Sequence, residues 1–270
     1  KGFFVLIFSV KYPQWLVLEL GADRPGDIRR LVSLVKPNVA VITRFGEVPV
    51  HVEFFKSREA LIEEKTMLPK GLKQDGILVL NADDPDVLNF KSHARGQLVT
   101  YGTSKESLVA GSHYAPFYEK GGQDGHKTLK GFSFKVNIGG NSLPIVRRGI
   151  LGSQHMYPVL AALAVASALD LNLVGAIEAL AREALPPGRM RIITGIKGST
   201  VIDDTYNSSP VALEEALRAL PGVSINGRVI AVLGDMLELG KFSTEAHHKA
   251  GELVAKFVRI LISVGVRARH

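Results

Sequence analysis

Glu19, His51 and Lys65 are the first side chains along this sequence whose types and settings could do chemistry. Glu19 interrupts the apolar run 16–20 near its carboxyl end. A carboxylate inside an apolar strand is costly unless it is paired or metal-bound. Open α/β sheets place their ligand crevice at the carboxyl ends of strands. Read alone, Glu19 is equally an edge-strand residue facing water. His51 and Glu53 follow the next apolar run, 39–43. An imidazole there could ligate a metal, act as a general base, or sit in a solvated loop. Lys65, in Glu63-Glu64-Lys65, falls in a helical pattern whose ordinary reading is a solvated face.

The densest polar cluster is Asp203-Asp204-Thr205-Tyr206-Asn207, between the β-branched run 200–202 and Ser208-Ser209-Pro210. Adjacent acids at a strand end can hold a ribose hydroxyl or a cation. They can also form a turn leading into a helix cap. Gly234-Asp235-Met236-Leu237-Glu238-Leu239-Gly240 is a similar strand-end loop.

The elements that must position these residues alternate. A strand over 16–20 ends at Gly21, and a helix starting near Pro25 runs to residue 35. A strand over 39–43 precedes a helix over 57–72 with Ser57 as its N-cap. A strand over 77–80, a polar turn over 81–85, a short helix and a strand over 98–101 follow. Strand–helix alternation of this kind predicts a parallel α/β sheet. Residues 107–150 are Gly-rich with alternating segments such as 131–138, which predicts antiparallel hairpins inserted beside the main sheet. Helices are expected over 154–169 and 173–184. Pro186-Pro187-Gly188 reads as a linker. Beyond it come a hairpin of 192–196 and 199–202 around Lys197-Gly198, a helix after Pro210, and strands over 228–233 and 260–264 flanking a helix from 243. The expected division is 1–186 and 187–270, the second unit being an incomplete α/β fold.

The 270 residues, 46% hydrophobic and 22% charged, describe a globular chain of one or two domains. The absence of cysteine excludes a disulfide scaffold, an iron–sulfur cluster and a cysteine nucleophile. A formal charge of +7 favours anionic partners, but the basic residues are scattered, which argues against nucleic acid. The apolar run 2–10 is too short to cross a membrane. No Gly-x-x-x-x-Gly-Lys-Ser/Thr, Gly-x-Gly-x-x-Gly or Gly-x-Ser-x-Gly occurs, so the chain holds no P-loop, dinucleotide fingerprint or hydrolase elbow. A chain that opens on Lys1 and stops just after a strand is expected to be an internal piece of a longer protein.

Taken together, the segments resemble the Mur ligase family of peptidoglycan synthesis. The resemblance is carried by Leu18-Glu19-Leu20-Gly21-Ala22-Asp23-Arg24-Pro25-Gly26-Asp27-Ile28, His51-Val52-Glu53, Glu64-Lys65 and Leu80-Asn81-Ala82-Asp83-Asp84-Pro85. It continues in Pro187-Gly188-Arg189-Met190, in Asp203-Asp204-Thr205-Tyr206-Asn207 with Pro210, and in Leu233 to Gly240. The last two point to the branch that adds D-alanyl-D-alanine. Sibling Mur ligases, a folylpolyglutamate synthase-like ligase and a non-catalytic binding remnant are the alternatives.

The resemblance implies a central parallel-sheet ATPase domain, incomplete and with a small antiparallel insertion, followed by a partial Rossmann-like C-terminal domain. It implies ATP and Mg2+ as cofactors, and UDP-N-acetylmuramoyl-tripeptide and D-alanyl-D-alanine as substrates. The enzyme would be a monomer in the bacterial cytoplasm, and the isolated chain would be inactive. Glu19, His51 and Lys65 match the magnesium and catalytic positions, Lys65 being carbamylated in several members. Arg189, Asp204 and Asn207 match positions that hold ATP, as do His155 and Tyr157 in the adenine segment. Two departures stand out. The family's Gly-x-His-Asn-x-x-Asn reads Gly152-Ser153-Gln154-His155-Met156-Tyr157-Pro158, and its Thr-Asn reads Thr43-Arg44.

Overall fold

A computed structural model describes residues 13–45, 55, 57–105, 107–120, 127–183, 186–223 and 227–269. The first strands assemble around the apolar run at Ile77–Asn81 (β2), where Leu78, Val79 and Leu80 are fully buried. Such a continuous run suits a strand covered on both faces. Val39–Ile42 (β1) and Gln97–Gly102 (β3) flank it, both parallel. Val109–Lys120 (β4) joins β3 in parallel through Tyr101 and Gly102 only. Lys127–Ile138 (β5) and Asn141–Arg148 (β6) then continue antiparallel. The antiparallel hairpins expected over 107–150 are therefore present and continuous with the parallel strands, in one sheet whose described strands run in the order β1 to β6.

Met156–Ala168 (α5), apolar all round, lies in the core. It packs so closely on β4 that a Cβ on Gly111 would come within 2.7 Å of the Met156 side chain. Leu173–Arg182 (α6) follows. The largest core cluster joins Phe132, Phe134 and Val136 of β5 to Leu160 and Leu163 of α5. Met190 and Ala219, from beyond the Pro-rich linker, are buried in it as well.

The C-terminal stretch builds two small sheets. Arg191–Thr194 (β7) and Thr200–Asp203 (β8) form the expected antiparallel hairpin. Ile230–Leu233 (β9) and Ile260–Ser263 (β10) pair in parallel. Pro210–Arg218 (α7) and Ser243–Val254 (α8) are the helices of this part.

The strand expected over 16–20 does not form. Leu16, Val17 and Leu18 are exposed, and no ladder among the described residues includes them. An apolar run becomes a strand only when its backbone finds an edge to pair with. Glu19 consequently lies outside any strand, facing water.

The helix Asp27–Val35 (α1) buries Ile28 and Val32. Its N-cap is Gly26, which has no side chain to cap with. Glu64 supplies the cap from Arg58–Lys65 (α2), accepting from the backbone N–H of Gly26 and of Ile28, both at 2.9 Å. The helix α2 is itself capped by Ser57, as its sequence predicts, and Met67–Lys70 (α3) continues it.

Removing this borrowed cap should cost about 1–2 kcal/mol, the value of a lost N-cap with its charge at a helix N-terminus. Urea unfolding of Glu64→Ala is expected to show a lower midpoint with an unchanged m-value. An unchanged midpoint would mean that the bridge between the two helices carries no stability.

Candidate functional site

The site is organised from the turn after β2. The Asn81 side chain accepts from the Asp83 N–H at 3.0 Å, and the Ala82 N–H donates to the Tyr101 carbonyl at 2.8 Å. The next two carboxylates then serve different loops. Asp84 is buried and accepts from the backbone N–H of Phe45 at 2.7 Å. It also accepts from Asp86 and Val87, capping the short helix Pro85–Leu88 (α4). Phe45, just after β1, is thereby fixed against Phe90, with ring centroids 5.5 Å apart.

Lys65, the last residue of α2, sets its amine 4.9 Å from the centre of the Phe45 ring. Burial lowers its pKa. Desolvation disfavours the ammonium, so the neutral and nucleophilic amine is easier to reach here than on an exposed lysine.

Asp83 accepts from the Thr103 N–H at 2.6 Å, the Thr103 hydroxyl at 2.7 Å, the Ser104 N–H at 3.0 Å and the Tyr157 hydroxyl at 2.8 Å. Burial alone would raise the Asp83 carboxyl, but these donors outweigh it and hold the pKa below the ordinary value. Tyr157 is pushed up to about 12, by burial first and then by its bond to Asp83. Its proton is committed to that carboxylate.

His155 closes the short 3-10 turn Ser153–His155 ahead of α5. Burial above all, and then the charges of Arg147 and Arg189, hold its pKa down to about 4. The imidazole is neutral at physiological pH. Its Nε2, like Oε1 of Gln154, is buried with no hydrogen-bond partner among the described residues. Arg147 is itself buried, and its guanidinium lies 3.2 Å from the Glu183 carboxylate.

The linker and the Asp203–Asn207 turn are fastened together. The Tyr206 N–H donates to the Gly188 carbonyl at 3.0 Å, and the Met190 N–H donates to Asp204 at 3.0 Å. Gly188 sits at φ +67, and a Cβ there would come within 2.6 Å of the Tyr206 nitrogen. The approach therefore requires glycine. Arg189 stacks its guanidinium 4.2 Å from the Tyr206 ring centre. Asp204 is raised by burial, against the opposing pull of the Met190 N–H and Arg189. The Asn207 side chain accepts from the Ser208 N–H at 2.9 Å, and Ser209 caps α7. Arg44 forms an ion pair with Glu215 of α7, tying the loop after β1 to the C-terminal part.

Asp235 turns away from this cluster and accepts from the N–H groups of Arg267 and Ala268, at 3.0 and 2.8 Å. His247 is buried and anchors the same loop. Its Nδ1 donates to the Ser243 carbonyl, and its Nε2 accepts from the Met236 N–H at 2.9 Å.

The sequence-predicted residues thus fall into separate groups. Arg189 and Asp204 meet at the linker, and Arg189 also acts electrostatically on His155. Tyr157 joins Asp83, and Lys65 lies against Phe45. Glu19 is exposed, and His51 lies outside the described residues. Among the described residues no three His, Asp or Glu side chains converge as a metal site. Sequence reasoning missed Glu64, Asp83, Asp84 and His247 as positioning residues. An Asp directly before Pro at a strand end is a recognisable helix cap, so Asp84 carried a usable signal. Nothing in the sequence pointed to the partners of Asp83.

The family profile described as the Mur ligase middle domain matches residues 5–166. The profile described as the Mur ligase, glutamate ligase domain matches residues 188–270. The UDP-N-acetylmuramoyl-tripeptide–D-alanyl-D-alanine ligase of Mycobacterium leprae is 29% identical over 95% of this chain and 52% of its own length. That of Bacillus subtilis is 30% identical over 88% of this chain and 48% of its own length. The chain therefore spans about half the length of these curated relatives. Among solved structures, MurF ligase from Thermotoga maritima in complex with ADP superimposes with a TM-score of 0.81 at 27% identity, covering 98% of this chain and 58% of that one. MurF from Acinetobacter baumannii, at 24% identity and a TM-score of 0.79, covers 95% of this chain and 53% of that one and shares the fold.

The lowered Lys65 pKa has a measurable sign. Between its folded value and the ordinary lysine value, the unfolded chain binds a proton that the folded chain does not. Stability of the native protein relative to Lys65→Met should therefore rise as pH climbs through that window. With carbon-13 at the lysine ε position, one resonance is expected to titrate below the others and to vanish in Lys65→Met. A Lys65 resonance titrating together with the surface lysines would contradict the burial argument.

Proposed function

Because the chain belongs to the Mur ligase family, we propose that the protein carrying it is an ATP-dependent, ADP-forming ligase that joins D-alanyl-D-alanine to UDP-N-acetylmuramoyl-tripeptide in bacterial peptidoglycan synthesis. The observation that carries this reading is the half-buried Lys65 amine beside the Phe45 ring, its pKa lowered by burial, which we assign to the family's carbamylated-lysine position. The named relatives support the choice of acceptor.

In this reading the terminal carboxylate of the tripeptide takes the γ-phosphoryl group of ATP, and ADP leaves. The amine of D-alanyl-D-alanine then attacks the acyl phosphate. A tetrahedral intermediate collapses to the amide with loss of phosphate. The difficulty is charge, since a carboxylate must approach a triphosphate. Magnesium, when bound, supplies neutralising charge at the phosphoryl oxygens. Glu19, His51 and carbamylated Lys65 would hold it. Glu19 and a carbamate offer the hard oxygen donors that this ion takes. Carbamylation turns the amine into a carboxylate-like anion and requires it to be neutral first, which fits the burial of Lys65.

ATP is assigned to Arg189, Asp204 and Asn207, with His155 and Tyr157 at the base. The unpartnered Nε2 of a neutral imidazole suits a hydrogen bond to a base edge. Tyr157, its proton held by Asp83, contributes its ring face. We divide the chain into an ATP-binding part, 1–186, and a C-terminal part, 187–270. The Arg44–Glu215 pair and the hydrogen bond from the Leu151 N–H to the Met190 carbonyl span the two. Residues from both sides of the linker suit a site completed by closure. No helix among the described residues is long and apolar enough to cross a membrane. The reading extends to a monomer using the ATP of the bacterial cytoplasm.

In the complete protein, D-alanyl-D-alanine should stimulate ADP release, while free amino acids and meso-diaminopimelate should not. Glu19→Ala should lower kcat by at least about 100-fold, as expected for loss of a charge-stabilising group. Stimulation by a different amine would overturn the substrate assignment. Near-normal turnover of Glu19→Ala would overturn the metal assignment.

A further inference from the structure

A cavity of about 300 Å3 opens between the loop joining β3 to β4 and the Gly139-Gly140 turn joining β5 to β6. None of the residues assigned to the ligase reaction lines it. Three features suit it to a ligand. Ser107, on its wall, is 8% exposed, and its hydroxyl has no hydrogen-bond partner among the described residues. A buried hydroxyl left unpaired is a cost that a bound acceptor removes. Lys105 is the one titratable side chain among the described lining residues. Glu106, beside it in the chain, lies outside the described residues. Asp83 sits behind the rim residue Thr103, but its carboxylate is already occupied by Thr103, Ser104 and Tyr157.

The third feature is backbone strain. The β4–β5 register shifts between Ser112 and Ala115, and His113 lies there at φ +55. A non-glycine residue in that conformation is costly, and bulges re-aim side chains beside sites. Ser112, at this bulge, and Asn137 line the cavity, with the Asn137 amide donating to the Ser112 hydroxyl at 3.1 Å.

We propose that this cavity binds a small phosphate-bearing anion, with the Lys105 amine countering its charge and the Ser107 hydroxyl donating to one of its oxygens. The volume lies at the low end for ligand sites and suits inorganic phosphate or a compact monoester, not a nucleotide. Thr103 on the rim also donates to Asp83, so an occupant bears on the hydrogen bonds that hold Tyr157.

Amide NMR of this chain, titrated with sodium phosphate at fixed pH and ionic strength, tests the proposal. Saturable shifts are expected at Ser107, Gly111, Asn137, Gly139 and Gly140. Lys105→Ala and Ser107→Ala should each weaken binding about tenfold, as for a charge-assisted contact. Both replacements are small, and unchanged spectra elsewhere report intact folding. Arg189→Ala, at the proposed nucleotide site, should leave these shifts in place. A parallel titration with glycerol phosphate separates the sources: tighter binding assigns a monoester, and equal or weaker binding assigns free phosphate. The absence of saturable shifts with both probes, or shifts unaffected by both cavity variants, would overturn the proposal.

Discussion

Asp83 and Asp84 leave one turn at the carboxyl end of β2 and hold different parts of the molecule. Asp84 fixes the backbone of Phe45, and so the ring against which Lys65 rests. Asp83 fixes the loop after β3 and the hydroxyl of Tyr157 at the start of α5. Each lost partner would leave a polar group unpaired in or near the core, at roughly 1–3 kcal/mol apiece. The position of the turn follows from β2, whose buried apolar run can lie only at the centre of the parallel strands. The central strand therefore sets where both carboxylates stand, and they set the loops of the site.

The electrostatics of the site follow from this packing. Lys65 and His155 are shifted by burial toward their neutral forms, and Tyr157 is held protonated. Asp83 stays ionised because its bonds exceed its desolvation. The guanidinium of Arg147 is buried, and that of Arg189 is stacked on Tyr206. At the proposed site an anionic nucleotide would meet fixed cations and neutral hydrogen-bonding groups, with little solvent reorganisation required.

Much of the fold was legible because local signals encode it. The apolar run of β2, the all-round apolar surface of α5, the Ser57 cap and the β7–β8 hairpin all appear where their sequences predict them. The run 16–20 misled because strand formation depends on an available edge, which composition does not report. The continuity of β3 with β4 rests on pairing at two residues and has no pattern of its own. Beyond the local cap that Asp84 gives α4, Glu64, Asp83 and Asp84 act through partners 20 or more residues away, at separations such as 36, 39 and 74. Hydrogen bonds over such distances leave no periodicity. Their residues looked like a helix surface and a turn, which is also what they are.

In the proposed reading the fold holds Lys65 ready to carry a carbamate. Carbon-13 NMR of the protein equilibrated with labelled bicarbonate measures this directly. One carbamate resonance is expected, absent in Lys65→Arg and weakened in Asp84→Ala, where Phe45 loses its anchor. No carbamate resonance, or one that persists in Lys65→Arg, would contradict it.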